Sequence, residues 1–234
     1  MGRLIFMQDD VFEKLTTQNL RGRIAHEIRE AILNGLLRTG ERLVERKLAT
    51  ELGASLTAVR EALIELEAEG FVSKKPNSAT HVTKLSWPET ERIFAVRRVL
   101  EGFAVEKACQ LAAPEQLQLL QQAYLDMAGA AAAGESKAVN RSDVAFHLQL
   151  WSCSGNEYLE MALRRALLPY FAFGAIHVVA HDSLELIRDA QSHLAILEAI
   201  RDRDGAAGRR AFDDSVRQWE SSARAEWEKM RNPL

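Results

Sequence analysis

Asp143 and His147 stand four residues apart, an interval that puts two side chains on one face of a helix, and His193 follows in a later helical segment. Two imidazoles and a carboxylate that converge inside a helical bundle suit Zn²⁺, Ni²⁺, Mn²⁺ or Fe²⁺. On spacing alone, the Asp143/His147 pair fits equally a surface pair or a hydrogen bond satisfied within the core. A second group of residues has a different chemistry. Arg46, Lys47, Arg60, Lys74 and Lys75 supply a local basic face near the amino terminus, which is what binding to a phosphate backbone requires. His177 and His181 are also four apart, but no motif makes them ligands, and they read as cavity wall or solvent-facing residues. The sequence has no His-Glu-x-x-His, no Gly-x-Ser-x-Gly, no phosphate-cradling glycine loop and no dinucleotide fingerprint. A metal on three helix ligands can activate water, yet no second carboxylate is placed as its general base. No catalytic residue is therefore assigned.

The elements that must position these residues are legible from periodicity and punctuation. Leu15 to Gly35 reads as an amphipathic helix with Leu20, Ile24, Ile28, Ala31 and Ile32 on one face. Gly40 to Leu43 reads as a connector. Leu48, Ala49 and Leu52 line a short helix, Gly53 marks a turn, and Ser55 caps a second helix whose inner face is Val59, Leu63 and Leu66. Two short helices joined by a glycine turn form a helix-turn-helix, which can lay its second helix in the DNA major groove. Gly70 ends that helix. Val72 and Val82 then belong to paired strands around a Pro76-Asn77 turn, a wing with lysines near its tip. Ser86-Trp87-Pro88-Glu89 is a helix start and marks the domain boundary, giving residues 1–86 and 87–234. Beyond it, segments near 88–112, 114–133, 135–154, 156–173, 182–203 and 205–231 all read as helix. The predicted fold class is mainly α, a winged helix-turn-helix followed by an all-α antiparallel bundle.

The amino-terminal half resembles the GntR family of bacterial transcriptional regulators. The resemblance rests on Leu48-Ala49, Leu52-Gly53, Ser55, Thr57, Val59-Arg60-Glu61-Ala62-Leu63, Leu66-Glu67, Glu69-Gly70 and Val82. The second half resembles the helical effector domain (FCD) of the FadR-like branch, through Val96-Arg97, Leu100-Glu101, Asp143, Phe146-His147, Ser154-Gly155-Asn156, Leu159, His193, Ile196-Leu197 and Ala199-Ile200. The resemblance implies a ligand-responsive transcription factor: a homodimer on a palindromic double-stranded DNA operator, modulated by a small organic acid. It implies DNA contacts from Arg46, Ser55, Thr57 and Arg60, with Lys74, Lys75 and Asn77 on the wing. It also implies a divalent metal (Zn, Ni or Mn) on Asp143, His147 and His193, with Arg97 beside the effector carboxylate. Arg60 has the fork geometry for guanine O6/N7; its alternative is a salt bridge to Glu61 or Glu65. Arg97 with Glu101 also fits a plain i,i+4 ion pair.

Three departures from the family pattern matter. Ser215 stands where a fourth metal-ligating histidine is expected, so water or an effector carboxylate would complete the coordination, with Ser215 beside the effector. Leu56 stands where the family often has a base-reading arginine, and Ala79 replaces the usual wing glycine. The operator should therefore differ from the common half-site. Two other readings stay open, a metal-dependent hydrolase-like bundle carrying a DNA-binding domain and a DNA-binding protein without an effector.

Composition agrees with two small cored domains: 234 residues, 47% hydrophobic. Net charge is −3, but residues 1–86 hold 13 basic and 12 acidic side chains against 17 and 21 in the rest. DNA affinity must then come from the local basic face and from dimerisation. Two cysteines, Cys109 and Cys153, imply no disulfide framework and fit a reducing cytoplasm. The apolar run Ala166 to Ala180 is broken by Pro169, Gly174 and His177 and is too short to span a bilayer. The first ten residues do not read as a signal peptide.

Overall fold

The computed structural model describes residues 20–74, 79–177 and 183–231. Among the described residues, the chain forms a small winged unit followed by six long helices. The winged unit comprises α1 (Leu20–Leu33), β1 (Arg42–Leu43), α2 (Glu45–Glu51), α3 (Leu56–Ala68), β2 (Val72–Lys74) and β3 (Thr80–Val82). The bundle comprises α4 (Trp87–Leu111), α5 (Pro114–Ala132), α6 (Ser136–Ser152), α7 (Glu157–His177), α8 (Ser183–Arg201) and α9 (Gly205–Arg231). No helix among the described residues is long and apolar enough to cross a membrane.

In the winged unit, Ile24, Ile28 and Ile32 of α1 are buried together with Val59, Leu63 and Leu66 of α3, the i, i+4 stripe expected of a helix that packs on one side. Ser55 Oγ accepts from the Ala58 backbone N–H at 3.2 Å, so it caps α3 as its sequence position suggests. Gly70 ends the helix at φ +85°, a left-handed conformation that costs glycine nothing sterically. The sheet order is β1-β3-β2, and Val72 pairs with Val82. The segment read as a plain connector contains a strand, since Arg42 and Leu43 pair with His81 and Thr80. Two residues are too few to show an alternating pattern, and the strand exists only because β3 offers it a partner. The Pro76-Asn77 turn, Lys75 and Asn77 lie outside the described residues, as does the chain before Leu20.

Ser86 precedes α4, where its backbone N–H donates to Glu89 Oε2 at 2.7 Å and Pro88 lies in the first turn. Trp151, Phe94, Phe146, Phe212, Leu120 and Leu163 are fully buried in the bundle. Gly208 lets α9 close on α4: a Cβ there would lie 2.9 Å from Cys109 Sγ and 3.0 Å from Val105 Cγ1. Contrary to the break expected at Gly174, α7 continues to His177 and carries Pro169 in its interior. Pro169 Cγ lies where a Cβ on Gly70 would meet it at 3.1 Å, so α7 packs directly on the end of α3. A second link joins the two units: Asn140 Nδ2 of α6 donates to Leu33 O of α1 at 3.3 Å.

Candidate functional site

Asp143 and His147 project from α6 and His193 from α8, and the three converge. Asp143 Oδ1 lies 2.9 Å from His193 Nε2 and 3.5 Å from His147 Nε2. The two Nε2 atoms are 3.4 Å apart. Both histidines are buried, at 2% and 5% exposure, and their rings are fixed by Phe146, edge-on to His193 at 4.9 Å, and Phe171, 4.8 Å from His147.

The other ring nitrogens are already committed. His193 Nδ1–H donates to the Asp189 carbonyl at 2.8 Å, and His147 Nδ1–H donates to Glu101 Oε1 at 2.6 Å. With Nδ1 so committed, each ring turns its Nε2 toward the Asp143 carboxylate, and Nε2 supplies the lone pair a metal needs once it carries no proton. Three acceptor atoms so close repel one another unless a proton or a cation lies among them. Adjacent donor atoms bound at about 2.0–2.2 Å to one tetrahedral or octahedral ion lie about 2.8–3.6 Å from one another. The observed separations fall in that range, so this donor set fits a divalent ion.

Glu101 is the hub behind these ligands. It is fully buried and accepts from Arg97 Nε at 2.6 Å, from Trp151 Nε1 at 2.6 Å and from His147 Nδ1. Burial alone would raise the Glu101 pKa, but the adjacent His147 and Arg97 charges lower it to about 2. Burial alone would lower that of His147, yet the Glu101 and Asp143 carboxylates push it up to about 9. Asp143 is held well below the usual carboxylate range by the two imidazoles, which outweigh burial. Arg97 is 5% exposed, stacks over Phe171 at 5.2 Å and places Nη2 3.1 Å from His147 Nε2. Arg97 and Glu101 are thus an i,i+4 pair and part of the site at once. A cavity of about 30 Å³, lined by Asp143, His193, Asn140, Asp189 and Trp219 among others, adjoins the donors. That is room for about one water.

Ser215 is one step removed from the donors. Its Oγ lies 3.0 Å from Ser192 Oγ, which is 3.4 Å from His193 Nδ1. The side chains of His177 and His181 lie outside the described residues.

On the winged unit, Arg46, Thr57, Arg60 and Lys74 are all exposed. Arg60 does not pair with Glu61 or Glu65. Its Nε donates to Glu45 Oε2 at 2.6 Å, while Lys74 Nζ lies 3.9 Å from the other oxygen of the same carboxylate. Glu45 thus joins α2, α3 and the wing. Sequence reading passed over it, as it did Trp151 and Phe171. A carboxylate 15 residues from its arginine gives no local signal.

The comparisons agree with this architecture. Residues 20–82 match the model for bacterial regulatory proteins of the gntR family, and residues 92–218 match the FCD domain. The chain belongs to the GntR family of transcriptional regulators, in the branch with an FCD carboxy-terminal domain. It is a DNA-binding transcriptional regulator. It is 26% identical over 205 residues to an uncharacterised HTH-type transcriptional regulator, YdhC, of Bacillus subtilis, covering 87% of this chain and 89% of that protein. It is 35% identical over 129 residues to the Nta operon transcriptional regulator of Aminobacter aminovorans, covering 54% of this chain and 60% of that one. The fold matches the solved structure of McbR/YncC from E. coli with a TM-score of 0.78 at 22% identity, over 92% of this chain and 100% of that one.

Proposed function

We propose that the chain is a ligand-responsive regulator in which a small carboxylate, bound with a divalent ion at Asp143, His147 and His193, modulates operator affinity. The observation that carries this is the committed Nδ1 of each imidazole, which leaves two Nε2 atoms and a carboxylate oxygen facing one point. Zn²⁺, Ni²⁺ and Mn²⁺ suit such a donor set. An ion there would act as a Lewis acid, offering its open coordination positions to a carboxylate oxygen. Arg97 is the cation beside the same point, and Ser215 belongs to the outer wall of the effector site. The cavity is water-sized, so admitting a metabolite requires side chains or helices around it to move. Two contacts support transmission of that movement. Asn140, one helical turn before Asp143, reaches Leu33 of α1, and Pro169, two residues before Phe171, abuts Gly70 at the end of α3. A coupling free energy of about 1–3 kcal/mol would suffice for regulation.

The domain division falls at Ser86–Trp87. The DNA face comprises Arg46, Ser55, Thr57, Arg60 and Lys74, together with Lys75 and Asn77, which lie between β2 and β3 in sequence. The protein works as a symmetric dimer, which a palindrome requires. Val96, Val99 and Phe103 support an interface on the bundle, since they leave an apolar stripe on α4 exposed at 43%, 65% and 42%. The test is selection of duplexes from a pool with randomised half-sites, followed by titration of the winner. Arg60→Ala should weaken binding by about 1–3 kcal/mol and relax base preference. Lys74→Ala should weaken all duplexes alike and lower the salt slope. A double variant that binds the selected duplex as the wild type does refutes this docking.

A further inference from the structure

The geometry around Glu45 points to a positioning residue for base recognition: we propose that Glu45 orients the Arg60 guanidinium for a bidentate contact to guanine. The inference rests on the reading of Arg60 as a base-reading side chain. Glu45 opens α2, and only 23% of its side chain is exposed, whereas Arg60 across the turn on α3 is 60% exposed. Glu45 Oε2 takes the Nε–H of Arg60 at 2.6 Å. An arginine has five N–H donors in a planar fork. A carboxylate bound at Nε leaves the two terminal nitrogens for the O6 and N7 atoms of a guanine edge. It also restricts a long side chain that otherwise samples many rotamers, so the fork is set before DNA arrives. The other Glu45 oxygen lies 3.9 Å from Lys74 Nζ, which ties the wing to the same point. The carboxylate repels phosphate, so its net effect on sequence-independent binding is unfavourable. What it contributes is discrimination between bases.

This separates Glu45 from a residue that merely neutralises Arg60. A neutraliser, when removed, raises affinity for every duplex alike. A positioning residue, when removed, flattens base preference while random-sequence binding holds or rises. Glutamine at the same place keeps an oxygen for the Arg60 Nε–H and loses only the charge.

The experiment is selection by the full-length protein from a duplex pool with randomised half-sites. Titration then follows on the duplex selected by the wild type and on a random-sequence duplex of equal length. Glu45→Ala should lower the ratio of selected to random affinity by about 5- to 150-fold, the range spanned by one bidentate guanine contact of about 1–3 kcal/mol. Glu45→Gln should retain most of that ratio and bind random DNA more tightly than the wild type. Glu51→Ala, which removes an equal charge from the exposed Lys47–Glu51 pair on the same helix, should leave the ratio unchanged. Melting temperatures confirm that the variants are folded. A Glu45→Ala protein that selects the same sequence with an undiminished ratio overturns the proposal, as does a flattened preference that Glu45→Gln fails to restore. A wild type that enriches a sequence indifferent to Arg60→Ala overturns instead the reading of Arg60 on which the proposal rests.

Discussion

Replacing Glu101 with glutamine tests whether the site is organised by a buried charge. Glu101 is fully buried and accepts hydrogen bonds from Arg97, His147 and Trp151. Glutamine preserves the volume but removes the charge and turns an NH₂ group toward donors that need acceptors. Arg97, at 5% exposure, then keeps a positive charge without its carboxylate. Breaking a buried pair by neutralising one member costs about 3–5 kcal/mol. The amide oxygen still accepts one bond, which places the expected loss near the lower figure. For a chain of this size that corresponds to a fall of about 6–12 °C in melting temperature. The assay is thermal unfolding followed by far-ultraviolet circular dichroism, with chelator present so that ion loss adds nothing. Glu228→Gln is the control, because the Glu228–Arg224 pair is exposed and contributes little. A Glu101→Gln protein that melts within about 2 °C of the wild type would refute the reasoning.

Gly70→Ala should destabilise the chain by about 1–2 kcal/mol, because alanine is strained at φ +85° and its Cβ would press on Pro169 at 3.1 Å; an unchanged urea midpoint would contradict that packing. Ser215→His should hold a divalent ion more firmly through dialysis and raise the melting temperature with metal present, because ligand binding to the native state stabilises it. If neither this variant nor the wild type retains metal, the three donors hold none, and the effector must bind without one.

Much of the fold was legible because it depends on local signals. Pro114, Gly134, Gly155 and Gly205 lie at or beside helix ends, and the Ser86-to-Glu89 start and the Ser55 cap do what their side-chain chemistry suggests. The exceptions involve tertiary partners. β1 has no pattern of its own and is defined by β3. Gly174 fails to break α7, since glycine weakens a helix by only about 1 kcal/mol and keeps its backbone N–H for the helical ladder. The same division holds at the site. The Asp143–His147 spacing is visible within one helix, and the Arg97–Glu101 pair within another. That Glu101 joins the two, through His147 and Trp151, depends on how α4 and α6 pack, and periodicity does not encode which faces meet. Glu45 was missed for the same reason, its partners lying on α3 and β2.

Native mass spectrometry of the full-length protein, purified and then dialysed against Zn²⁺, Ni²⁺ or Mn²⁺ in turn, tests the account most directly. It should show an assembly of twice the 26.2 kDa chain mass carrying one divalent ion per chain, and no ion in His147→Ala. A wild type that carries no ion after any of the three dialyses, matching His147→Ala, would contradict it.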